Sequence, residues 1–342
     1  MDTYLLPFME AFVLSVLLLM LLVWGMRHVL WNIADRRTGI RHAHQNISRW
    51  GGVVLIVTFL SVLFLEKHIV LTPPLWGMII ALIGILIIGL WDDLFELSWK
   101  KQMVFQVGVA AVASVSGIRF LSITWPLGEA FFLDSSQWLW LSILLSVVWI
   151  VIVMNAVNWS DGIDGLCGGV SFIGFITIFF LSLKPEVNQP AVAILSAILA
   201  GATLGFLIFN SHPAKILAGT SGAWFFGFQL AALSLFAGTK VATTLLVLVL
   251  PLLDALWVVT ERWRRKESIF EADTRHVHYR LRKLGWSTRR IVLLFYMITT
   301  LVAAVALNTR ALGKMMTLTV VACILFFSFL WINRRIQQQE AS

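Results

Sequence analysis

Long apolar runs separated by short polar segments dominate the chain, and their lengths predict membrane helices. Runs near 4–24, 50–66, 75–91, 102–121, 137–154, 167–183, 190–209, 221–237, 241–260, 291–307 and 313–332 each approach the roughly 20 apolar residues that cross a bilayer. The fold class expected is therefore all-α, polytopic, with about 11 transmembrane helices. The first run has no basic leader and no small-residue cleavage site, so it is expected to stay as a helix. No internal repeat is visible, and residues 1–342 are treated as one integral-membrane domain, with 261–290 as its basic cytoplasmic loop.

Composition supports this reading: 59% of the 342 residues are hydrophobic and only 13% are charged. Cys167 and Cys323 lie far apart, which suggests neither a disulfide framework nor a zinc site. Charge placement adds an orientation. With the N-terminus outside and the C-terminus cytoplasmic, 20 of the 26 lysines and arginines fall on inward-facing segments. The polar motifs fall on the same side, as expected for a site that works on a cytosolic substrate at the membrane face. The basic surplus is explained by headgroups and phosphates, so no nucleic acid is expected as partner.

The densest polar stretch is Asn155-Ala156-Val157-Asn158-Trp159-Ser160-Asp161-Gly162-Ile163-Asp164-Gly165-Leu166, directly after an uncharged apolar run. A lone Asp-Gly would be a turn between helices. Two such steps with two asparagines at a membrane edge, where ionised groups are costly, point to a site. Asp161 and Asp164 are three apart and would share one face of a helical turn, able to meet one cation or donor.

Four further segments carry candidate chemistry. Arg41 and His44, one turn apart ahead of Gly51-Gly52, can face a phosphate. Asp92-Asp93, followed by Lys101, ends an apolar helix where two carboxylates need partners. Lys215 precedes Gly219-Thr220-Ser221-Gly222, a helix opening of the anion-binding kind. His276 and His278, flanked by Arg275 and Arg280, suit a diphosphate and could share a ligand on extended backbone. Asp254, alone on an apolar helix, is expected to pair with a basic neighbour or to reach the site.

In order and spacing these segments resemble the polyprenyl-phosphate N-acetylhexosamine-1-phosphate transferases. Asp92-Asp93 is similar to the family's Asp-Asp pair. Asn155–Leu166 is similar to its Asn-x-x-Asn-x-x-Asp-Gly-x-Asp-Gly-Leu signature, Gly205–Gly222 to its Gly-Phe-Leu-x-Phe-Asn and Pro-Ala-x stretch, and His276–Leu281 to its His-x-His-His-x-Leu, with Tyr279 replacing a histidine. The resemblance is nearer the GlcNAc-type branch than the peptidoglycan branch. It implies transfer of a sugar-1-phosphate, GlcNAc-1-phosphate for this branch, from a UDP-N-acetylhexosamine to polyprenyl phosphate, with release of UMP. It also implies Mg²⁺ (or Mn²⁺), a bacterial inner membrane with the active site facing the cytoplasm, and a homodimer. The implied catalytic residues are Asp92, Asp93, Asp161, Asp164, His276 and His278, with Asp161, Asp164 and Asp93 as metal ligands. Arg41, His44, Lys101, Asn155, Asn158, Asn210, Lys215, Thr220 and Arg275 are the implied substrate contacts.

One departure stands out. Where the family has Gly-Asp-x-Gly-Ser, this chain has Gly219-Thr220-Ser221-Gly222-Ala223, and the family's aspartate is regarded as a magnesium ligand. Either the other carboxylates and the substrate phosphates hold the ion, or the chain binds nucleotide or lipid phosphate without turnover. The first is preferred, because the remaining motifs are intact and Mg²⁺ commonly takes one or two carboxylates beside phosphate oxygens. A transporter would carry its ionisable residues mid-membrane in broken helices instead.

Overall fold

The computed structural model describes residues 2–25, 47–124, 130–236, 241–268 and 273–341. Among them are thirteen α-helices: α1 (Asp2–Gly25), α2 (Gly51–Leu65), α3 (Pro73–Phe95), α4 (Trp99–Val115), α5 (Leu139–Ser160), α6 (Leu166–Ser182), α7 (Pro190–Asn210), α8 (Gly219–Leu235), α9 (Val241–Val247), α10 (Val249–Arg264), α11 (Val277–Lys283), α12 (Thr288–Asn308) and α13 (Ala311–Ala341). Each apolar run overlaps a helix among the described residues. Six helices are long and apolar enough to cross a membrane, and a bent pair makes a seventh; α2 and α6 are shorter apolar helices.

The structure departs from the sequence reading in three places. The run over 241–260 divides into α9 and α10, which meet at 72°. Pro251 explains the break: it has no N–H for the Val247 carbonyl, and its ring would crowd that carbonyl in a continuous helix. The run over 102–121 stops at Val115, and a small antiparallel hairpin follows, β1 (Ser122–Thr124) with β2 (Ala130–Phe132), Ser122 opposite Phe132. The polar loop after α10 forms a two-turn helix, α11, in place of extended chain.

Helix α8 is the centre of the bundle. Every residue from Thr220 to Leu235 is buried, and it packs against α2, α3, α5 and α6. Its entry is laced to the chain that leads into α2. Leu217 N donates to Ser48 O at 2.8 Å, Gly51 N to Leu217 O at 3.1 Å, and Gly52 N to Ala218 O at 2.9 Å. Helices α1 and α13 are the least buried of the long ones, and their exposed faces are rich in large apolar side chains, as lipid contact requires.

Candidate active site

The start of α8 is an anion-binding turn, and the anion is the protein's own Asp93. Thr220 N donates to Asp93 Oδ1 at 2.7 Å, while Ser221 N and Oγ donate to Oδ2 at 3.3 and 3.1 Å. These are helix-start N–H groups that lack partners within α8, and the helix dipole favours a carboxylate there. Asp92 faces three donors: Leu97 N at 2.8 Å and Gln102 Nε2 at 2.7 Å on Oδ1, and Thr220 Oγ1 at 2.6 Å on Oδ2. Two adjacent carboxylates at a membrane edge are thus paired with hydrogen-bond donors. Gly219 makes this approach possible. Its φ is +69°, and a Cβ there would strike the Arg49 carbonyl and the Asp93 carboxylate. Gly219→Ala is therefore expected to lower the thermal midpoint by several degrees, about 2 kcal/mol or more, read by scanning fluorimetry in detergent.

The second acidic element is the turn between α5 and α6. Helix α5 ends at Ser160, so Asp161 and Asp164 do not share a helical face, in contrast to the sequence expectation. Asp164, 4% exposed, is drawn to the segment after α7: Oδ2 lies 2.7 Å from His212 Nδ1 and accepts from Ala214 N at 3.1 Å. Asn210 holds the same turn, accepting from Gly165 N at 3.1 Å and donating to Ile216 O at 2.9 Å. Tyr296 Oη from α12 donates to Gly165 O at 2.5 Å. One stretch of chain, residues 210–221, therefore binds both acidic elements: Asp164 near its beginning and Asp92-Asp93 at its end. Asp161 is half-buried at the C-cap of α5.

The third wall is α11. Asp254 on α10 pairs with His276 Nδ1 at 2.9 Å and accepts from Val277 N at 2.8 Å, so it caps α11 from outside. The rings of His276 and His278 are nearly parallel, 5.7 Å apart, and Trp159 packs on His276 at 6.0 Å. His278 Nε2 is buried without a hydrogen-bond partner and points at Gly162, where any Cβ would collide with it. The histidines thus reach the acidic turn from a helix start, not from extended chain. Arg275 is engaged within the loop by Asp273 (2.8 and 2.9 Å) and Glu267, and Arg262 joins Asp273 at 2.5 Å.

Two titrations follow. Burial pushes the His278 imidazole down to about 4, with Asp254 opposing and His276 and Arg282 adding to the fall, so it is neutral at pH 7. Between 6.5 and about 4 the unfolded chain takes up a proton that the folded one refuses, so stability drops as pH falls, by roughly 3 kcal/mol. Burial works against the Asp273 carboxylate, but hydrogen bonds from Arg275 and Arg262 outweigh it and hold its pKa well below the usual range. Its contribution is fully present above 3.8 and is lost as pH falls further. Melting curves should show a decline between pH 6.5 and 4 that His278→Gln reduces. A second decline below pH 4 should be reduced by Asp273→Asn.

Comparison with known proteins gives the chain a family. A family model described as glycosyl transferase family 4 matches residues 75–238, from α3 through α8. A decaprenyl-phosphate N-acetylglucosaminephosphotransferase of Mycobacterium leprae is 33% identical over 293 residues, covering 76% of this chain and 73% of that protein. A phospho-N-acetylmuramoyl-pentapeptide-transferase of Halalkalibacterium halodurans is 30% identical over 317 residues, 89% of this chain and 96% of its own length. The chain belongs to glycosyl transferase family 4. A Bacillus subtilis protein named a probable undecaprenyl-phosphate N-acetylglucosaminyl 1-phosphate transferase is similar across 96% of the chain at 29% identity.

Within this family 4 chain, the expected residues distribute unevenly. Asp92, Asp93, Asp164, Asn210 and Thr220 meet along residues 210–221; His278 meets the Asp161–Asp164 turn at Gly162, and His276 packs on Trp159 just before it. Asn155 turns to Gln106 on α4, and Asn158 is half-buried one turn later. Lys101 and Lys215 are exposed beside the network. Arg41 and His44 lie outside the described residues. The sequence reading missed Gln102, Gln106, His212 and Tyr296; of these only His212, beside Pro213 in a polar stretch, gave a visible signal.

Among the described residues no three His, Cys, Asp or Glu side chains converge to cage a metal. All four oxygens of Asp92 and Asp93 already accept from N–H or O–H donors. The Asp161–Asp164 turn offers hard carboxylate oxygens, and Mg²⁺ accepts one or two of these beside waters and phosphates.

Proposed function

We propose that this chain transfers N-acetylhexosamine-1-phosphate, GlcNAc-1-phosphate in the first instance, from a UDP-sugar to polyprenyl phosphate. A phosphate oxygen of the lipid attacks the β-phosphorus. The new P–O bond forms as the bond to the bridging oxygen breaks, and UMP leaves with the electron pair. A lipid phosphomonoester is largely ionised at neutral pH, with a second pKa of about 6, so no side chain need remove a proton. What the protein must supply is positioning and charge compensation for two polyanions. The observation that carries this reading is the 210–221 stretch, which holds both acidic elements in one network, with His278 against the Asp161–Asp164 turn at Gly162.

In this reading neutral His278 offers Nε2 to the diphosphate, His276 is oriented by Asp254, and exposed Lys215 and Lys101 draw in the phosphates. Asp161 and Asp164 would hold Mg²⁺, which supplies charge neutralisation on the diphosphate when bound. Asp93, which accepts from donors on α8, would be the third ligand. The eleven apolar runs are read as crossings of a bacterial inner membrane, with the N-terminus outside. The basic excess then puts this network at the cytoplasmic face. Purified protein given UDP-GlcNAc and undecaprenyl phosphate with Mg²⁺ is expected to release UMP in step with lipid-linked product. Release of UMP without lipid, or none at all, would refute the transfer.

A further inference from the structure

Helix α4 carries two glutamines one turn apart, and their amides lead to different parts of the site. Gln102 Nε2 donates to Asp92 Oδ1 at 2.7 Å. Gln106, 1% exposed, forms a two-way amide pair with Asn155 on α5: Asn155 Nδ2 donates to Gln106 Oε1 at 2.5 Å, and Gln106 Nε2 donates to Asn155 Oδ1 at 3.4 Å. Residues i and i+4 share a helix face and stand about 6 Å apart along the axis. One rigid face of α4 therefore joins the carboxylate that meets Thr220 to the head of the last turns of α5.

The consequence lies downstream of Asn155. Asn158 follows one turn later on the same face, and Asp161 closes the helix three residues beyond. A rotation of α5 at Asn155 would turn all three. An apolar pair could fill the same space, but it would not fix the rotation, because apolar contacts are non-directional and an amide pair is satisfied in one geometry. Gln106 is buried, and leaving its amide unpaired there is costly, while Asn155, half-buried, also donates to Val151 O at 2.8 Å; together these bonds select the register.

We propose that Gln102 and Gln106 are positioning residues, and that α4 sets the spacing between Asp92 and the Asn155–Asp161 segment. Neither glutamine touches substrate in this scheme. The kinetic part rests on the transfer reading above; the structural part rests on the geometry alone.

The two parts are separated by measuring hydrogen exchange and UMP release on the same full-length variants in detergent. In Gln106→Leu, backbone exchange in 158–166 should rise at least tenfold while the α7 segment 192–206 stays unchanged. The length swap Gln106→Asn with Asn155→Gln should bring 158–166 back to within threefold of the parent. Turnover in Gln106→Leu should fall tenfold or more in kcat, with KM for the UDP-sugar moving less than threefold, since misplacement of reacting groups is felt in the transition state. Unchanged exchange in 158–166, equal acceleration in 192–206, or a change in KM alone overturns the positioning role. Selective acceleration in a protein whose parent form releases no UMP would keep that role and overturn the transfer reading.

Discussion

Thr220→Asp is expected to make the stability of this protein depend on a divalent ion. Thr220 Oγ1 now donates to Asp92 Oδ2 at 2.6 Å, and its N–H donates to Asp93. The substitution replaces that donor with a third carboxylate beside two others. Like charges about 4 Å apart repel by about 4 kcal/mol at the effective dielectric of a protein surface. The variant can relieve this by taking up a proton or by binding a cation. In EDTA its melting temperature should fall by several degrees, and millimolar Mg²⁺ should restore most of the loss. The parent protein without substrate should respond to Mg²⁺ much less, because hydrogen bonds already satisfy Asp92 and Asp93. A variant as stable in EDTA as in Mg²⁺ would mean that position 220 does not face the acid pair.

Asp161→Asn is expected to lower turnover by about 10²–10³, the loss typical when a charge or donor aimed at the reacting groups is removed. Asp161 is half-buried at the end of α5, so the neutral amide should leave the melting temperature within a few degrees of the parent. Asp164→Asn should lose turnover to a similar degree but also lose stability. It is buried and holds His212 and the Ala214 N–H, and an amide nitrogen presented to either donor breaks a buried bond costing about 1–3 kcal/mol. Parallel UMP assays and melting curves give the contrast. Full turnover in Asp161→Asn would remove it from the chemistry.

These predictions separate what sequence pattern reveals from what it hides. Apolar run length located the helices, because burial in lipid leaves little choice of backbone structure. It did not show the bend before Pro251, although the proline contained the reason, nor the hairpin after α4, whose strands are only three residues each. The Asp-Gly turn stood out as a candidate because charge at a membrane edge is conspicuous. Its geometry was not, since the spacing suggested a shared helical face and the chain instead leaves the helix at Ser160. The glycine-rich opening of α8 did read as an anion site, but the anion comes from α3, 127 residues away in sequence. Gln102 and Gln106 gave no signal: an amide in an apolar helix reads as any polar break until its partner, 49 residues on for Gln106, is known.

In the transfer reading, residues 210–221 gather two acidic elements into one phosphate-handling site, with His278 at the Asp161–Asp164 turn. The most direct measurement is a cryo-electron-microscopy map of the protein with UDP-GlcNAc. The account predicts the diphosphate between the Asp161–Asp164 turn and the start of α11, within hydrogen-bond reach of His278 Nε2. A nucleotide bound on another face, or a diphosphate placed away from both Asp161 and His278, would contradict it.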